Sequence, residues 1–99
     1  MIIYEVNLTI PRKFYKEYKI WLDKHIQLML NIDGFTDHKI YMIDSNSKSY
    51  KNVSVHYNIK TMKHLDDYLS KQSYKLRNES IMKFGENYVK SRRILISCD

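Results

Sequence analysis

The chain has 99 residues and a net charge of +6, from 17 Lys and Arg against 11 Asp and Glu, which suits one domain with a single core. No stretch approaches the roughly 20 consecutive apolar residues that cross a bilayer. The N-terminus lacks the basic-then-apolar pattern of a secretory signal, and the lone cysteine, Cys98, leaves no internal disulfide, so one cytoplasmic domain over residues 1–99 is expected.

The charge invites a polyanion partner, but the lysines are scattered from Lys13 to Lys90 without a dense block. The absence of alanine and the abundance of Lys, Ile, Asn and Tyr match the coding bias of an AT-rich genome. That bias inflates lysine without any functional demand.

The opening stretch, MIIYEVNLTIP, places Ile2, Tyr4, Val6, Leu8 and Ile10 on one parity and Ile3, Glu5, Asn7 and Thr9 on the other. This is the period of a strand with one apolar face, and Pro11 ends it. Residues 11 to about 31 read as a helix with proline at its first position. Its apolar stripe is Phe14, Tyr18, Trp21, Leu22, His25, Met29 and Ile32, and Gly34 lets the chain turn.

Residues 35–44 form a second strand of mixed parity, as at a sheet edge. The run from Asp44 to Ser49 is a turn of residues that bond their own backbone. Residues 51–60 alternate again, with Val53, Val55, Tyr57 and Ile59 opposite Ser54, His56 and Asn58.

Thr61 is placed as the N-cap of a second helix carrying Met62, Leu65 and Leu69. Its phase falters near Lys71 to Tyr74, where Ser73 caps a fresh segment with Leu76, Ile81 and Phe84, closed by Gly85. The last strand, roughly 87–97, has Tyr88, Ile94 and Ile96 on one face and Ser91, Arg93 and Ser97 on the other.

The order βαββαβ with right-handed crossovers gives an α+β, ferredoxin-like domain: a four-stranded antiparallel sheet, order 4-1-3-2, with two helices on one face. Tyr4, Val6, Leu8, Val53, Val55, Tyr57, Ile94 and Ile96 supply the covered face. Glu5, Asn7, Ser54, His56, Asn58, Ser91 and Arg93 occupy the other.

Short pieces in this order and spacing carry a resemblance. They are MIIYEV, Trp21-Leu22, Lys24-His25-Ile26, Gly34-Phe35, Val55 with Tyr57, Tyr68-Leu69, Leu76-Arg77, Phe84-Gly85 and Arg92-Arg93. Along nearly its whole length the chain resembles the bacterial domain-of-unknown-function family 4286. It departs from that pattern at Ser73-Tyr74 and at His56, where glutamine is usual. The resemblance implies a ferredoxin-like fold of the dimeric α+β barrel type. Its architectural relatives include antibiotic-biosynthesis-type monooxygenases and muconolactone isomerases. It assigns no activity, and fold alone does not imply one.

Among single residues His25 is the sharpest candidate. On the helical stripe, a neutral imidazole could serve as acid, base or ligand contact near pH 7. The plainer reading is a histidine that fills the helix–sheet interface with one nitrogen bonded to a carbonyl or carboxylate. The polar sheet face is the second candidate. There Glu5, Asn7, His56 and Arg93 come within cross-strand reach and could orient a carboxylate or phenolic ligand. Its plainer reading is a wet dimer interface.

Neither a metal nor a cofactor is expected. His25, His38, His56 and His64 lack ligand spacing, and no haem or flavin motif is present. Two glycines allow no phosphate-cradling loop. The RNA-recognition motif shares the element order, but its aromatic third strand is replaced here by Lys51-Asn52-Val53-Ser54-Val55-His56-Tyr57. Tyr4 also has the core parity, so nucleic acid is set aside.

The sequence therefore predicts a homodimer that binds a small organic ligand in a helix–sheet or dimer cavity. The alternative is a cofactor-independent oxygenase, isomerase or cyclase using His25. An RNA-binding module and a purely structural dimer rank below both.

Overall fold

The computed structural model describes residues 1–71 and 88–98. Strand β1 (Ile2–Pro11) leads through a short 3-10 turn (Arg12–Phe14) into helix α1 (Tyr15–Leu30). Strands β2 (Phe35–Met42) and β3 (Tyr50–Ile59), helix α2 (Met62–Lys71) and strand β4 (Val89–Ile96) follow. The sheet order is β2-β3-β1-β4, all antiparallel, which is the expected ferredoxin-like order with β1 at the centre.

Register follows from the alternation. Tyr4 faces Tyr57, Val6 faces Val55 and Leu8 faces Val53, so the apolar parities of β1 and β3 share one face. Tyr4, Leu8, Ile10, Val53, Val55, Tyr57 and Ile59 are buried there, beneath Tyr18, Leu22, Ile26 and Met29 of α1 and Leu65 and Tyr68 of α2. A one-residue slip would turn this whole set outward, so the pairing is strongly specified.

The first helix begins later than its proline suggests. Pro11 keeps an extended backbone, with ψ at 132°, and still pairs with Tyr50. The Arg12 N–H donates to the Ser49 carbonyl at 2.9 Å. Phe14 therefore falls outside α1 and is 39% exposed, while Ile26, absent from the expected stripe, is buried.

At the other end of α1, Gly34 adopts φ +89°, and a Cβ there would lie 2.3 Å from His64 Cγ. The turn needs glycine for its conformation and for this close approach. A register shift between Phe35 and Asp37 resets the phase of β2, which explains its mixed parity.

In the 43–49 connection, the Ser47 N–H donates to Ser45 Oγ and the Tyr50 N–H to Ser47 Oγ, both at 3.1 Å. The Thr61 hydroxyl accepts from the His64 N–H at 3.2 Å and caps α2 as expected. The predicted break at Ser73 and its residues Leu76, Ile81, Phe84 and Gly85 lie outside the described residues.

Two expected core residues are not in the core. Ile94 is 41% and Ile96 64% exposed, although both have the apolar parity. Strand β4 is the outer strand beside β1, whereas among the described residues the main helix contacts fall from α1 on β1 and β2 and from α2 on β3. Tyr88, just before β4, is buried, with its ring against that of Tyr18.

Candidate functional site

Strand β1 has a candidate on each face. On the face away from the helices, Glu5 stands in register with His56 of β3 and Arg93 of β4. Arg93 Nε donates to Glu5 Oε1 at 2.5 Å and its terminal nitrogen to Oε2 at 3.2 Å. Asn7 Nδ2 donates to Oε1 at 2.8 Å and to Ser91 Oγ at 3.1 Å. His56 Nε2 lies 3.0 Å from Oε2 and 3.1 Å from Ser54 Oγ. The edge of Tyr41 closes on the His56 ring.

This network explains the electrostatics of Glu5. The Arg93 hydrogen bond, helped by that of Asn7 and opposed by burial, holds its carboxyl down at about 2. The guanidinium of Arg93 is raised in return. Glu5 itself is only 3% exposed, whereas its partner Arg93 is largely exposed.

All four residues predicted from the sequence thus meet, and they satisfy one another. Both carboxylate oxygens are occupied, so the face acts as a closed polar network.

The helix-covered face holds a cavity of about 50 Å³ bounded by Tyr4, Tyr18, Trp21, His25, Tyr57 and Arg92, among others. Helix α1 places Trp21 and His25 one turn apart, and their rings stack at 4.7 Å with 17° between planes. His25 Nδ1 is buried and has no hydrogen-bond partner among the described residues. Of the plainer expectation, a histidine filling the helix–sheet interface with one nitrogen bonded to a carbonyl or carboxylate, the described residues supply no such bond at Nδ1.

Burial alone pushes the His25 pKa down to about 4, so the ring is neutral at pH 7. His38 Nδ1 is also buried without a partner, but on the edge strand β2 and outside this cavity. His25 and the Glu5 network lie on opposite sides of the sheet and cannot act on one small molecule within a protomer.

Sequence reasoning named Arg92 and Tyr68 only within the family resemblance and not as site residues, yet both line this cavity. The clue to Arg92 was present: its parity is that of Ile94 and Ile96, so a charge sits on the apolar side of β4. The apparent scatter of basic residues also hid a local grouping. Arg12, Lys13 and Lys48 line a groove with Phe14 and Tyr50 at the end of β1. Among the described residues, no three His, Cys, Asp or Glu side chains come together as a metal would need, and no helix is long and apolar enough to cross a membrane.

This architecture is the ferredoxin-like α+β class seen in several solved oxygenase-type structures. A candidate antibiotic biosynthesis monooxygenase from Deinococcus radiodurans matches at 11% identity and TM-score 0.68, covering 100% of this chain and 93% of that one. SnoaB, a cofactor-independent oxygenase from Streptomyces nogalater, matches at 7% identity and TM-score 0.65, over 99% and 94%. An ethyl tert-butyl ether D family protein from Bacillus halodurans matches at 18% identity and TM-score 0.65, over 98% and 99%. At such identities the likeness concerns the fold. The chain belongs to the DUF4286 family, a domain of unknown function, whose family model matches residues 1–97. No curated protein matches the chain.

Proposed function

We propose that this protein is a cytoplasmic homodimer whose protomers each bind a small organic ligand at the helix–sheet cavity, with neutral His25 as the polar contact inside it. The observation that carries this reading is the buried, unpartnered Nδ1 of His25 in a cavity walled by aromatic rings. A buried polar atom without a partner costs about 1–3 kcal/mol, and a ligand that bonds it recovers that loss. The cavity, at about 50 Å³, is a third of the roughly 150 Å³ that accepts a benzene ring. It takes the end of a ligand whose body lies outside it.

Dimerisation rests on the open sheet face. The protomer is a slab 38 × 32 × 18 Å, with helices on one side of the sheet. Exposed Tyr41 and half-buried Ile3 and Leu95 share the open face with the closed Glu5 network. A partner sheet would cover apolar groups there without stranding a charge, because Glu5 is already paired.

Turnover of the oxygenase or isomerase kind would require His25 to take up a proton. Its displacement from 6.5 to about 4 makes that protonation roughly 3 kcal/mol harder than for a free imidazole. Binding without chemistry is therefore the better supported reading. Titration of phenol into the protein, followed through the His25 ring resonances, tests it. Saturable movement of those signals is expected, and their indifference to millimolar phenol would refute the cavity assignment.

A further inference from the structure

Arg92 is the feature that the reading above leaves unused. It faces Val6 across the β1–β4 ladder, on the helix side of the sheet, and is half-buried. Its neighbour Arg93 points to the other face and is neutralised by Glu5. Arg92 has no ion-pair or hydrogen-bond partner among the described residues. A guanidinium partly removed from water calls for an anion, and planar bidentate carboxylates suit it best.

Its position is equally specific. Arg92 and Tyr4 are walls both of the His25 cavity and of an outer groove of about 220 Å³, which Leu69, Arg93 and Ile94 complete. Neither space has an acidic residue among its described walls, so among them the Arg92 charge meets no carboxylate. The groove, unlike the cavity, has the volume for an aromatic ring. The exposed Ile94 gives that ring an apolar surface beside the charge.

We infer that the ligand is an aromatic carboxylate of benzoate type, its carboxylate on Arg92 at the junction of the two spaces and its ring against Leu69 and Ile94 in the groove. The inference rests on the reading of the cavity as a ligand site and adds the chemical class. A substituent beside the carboxylate reaches His25, whose neutral ring accepts a hydrogen bond and repels no anion. The competing view of Arg92 is a side chain whose stem covers apolar surface while its head reaches solvent.

Benzoate and benzyl alcohol, nearly equal in shape and differing in charge, separate these views. Both are titrated into the wild type, Arg92→Gln and Arg92→Lys, with affinity read by calorimetry and site occupancy by the His25 resonances. Benzoate should bind the wild type at least tenfold more tightly than benzyl alcohol. Arg92→Gln should erase that preference, bringing benzoate to the affinity of benzyl alcohol, while Arg92→Lys keeps part of it. Equal affinity of the two probes for the wild type overturns the carboxylate assignment and leaves the cavity reading standing. Failure of both probes to bind overturns the cavity reading and this inference with it. If Arg92→Gln does not fold, as judged by its circular dichroism, the wild-type preference and the Arg92→Lys variant still decide.

Discussion

His25 and Glu5 are both shielded ionisable groups on or beside β1, yet their environments set opposite preferences. His25 is isolated among rings and keeps its neutral form; Glu5 is surrounded by donors and keeps its charge. Folded His25 loses its proton at about 4 and unfolded His25 at 6.5, so between these values the unfolded chain binds more protons. Stability then falls on acidification through this window, by up to roughly 3 kcal/mol. The contribution of Glu5 is fully present above its unfolded value of 4.5 and disappears as the pH drops towards about 2. Urea unfolding between pH 7 and 2.5 should therefore show two successive losses. His25→Phe should abolish the upper one and, by removing an unsatisfied nitrogen, raise stability at pH 7 by about 1 kcal/mol. Glu5→Gln should abolish the lower one and leave the upper in place.

At the scale of elements, period-two alternation made β1 and β3 legible, and with them the shared face of Glu5, Asn7, His56 and Arg93. Helix α1 was legible in type but not in detail. Its stripe was centred on Trp21 and His25, which are half-buried, whereas Ile26 is almost fully enclosed. The angle at which α1 meets the sheet selects among residues one position apart, and that angle is a tertiary property. The α1–β2 turn is less forgiving. Gly34→Ala combines a left-handed backbone with a Cβ driven into the base of the His64 side chain, and should destabilise the protein by about 3 kcal/mol. Chemical denaturation with an unchanged m-value would confirm a native-state effect of that size.

Across the whole molecule, α1 and α2 cover one sheet face and, among the described residues, no element covers the other, an arrangement that a second sheet would complete. Light scattering should return twice the 12.0 kDa chain mass at tens of micromolar. Tyr41→Glu, placed on the open face beside His56, should weaken that dimer at least tenfold while the circular dichroism stays native. A monomeric wild type at the same concentration would remove the dimer proposal without touching the cavity, which each protomer builds alone.

The amino-acid sequence by itself determined the element order, the two faces of the central strands and the meeting of the four polar residues on one of them. Each of these depends on a local period and a short list of allowed connections. Only the tertiary structure decided that Glu5 is bonded by its neighbours, that Ile94 and Ile96 stay exposed, and that Arg92, without a partner among the described residues, stands where a cavity meets a groove. Those outcomes depend on how far each helix reaches across the sheet and on distances between side chains up to 88 positions apart. No local pattern encodes either.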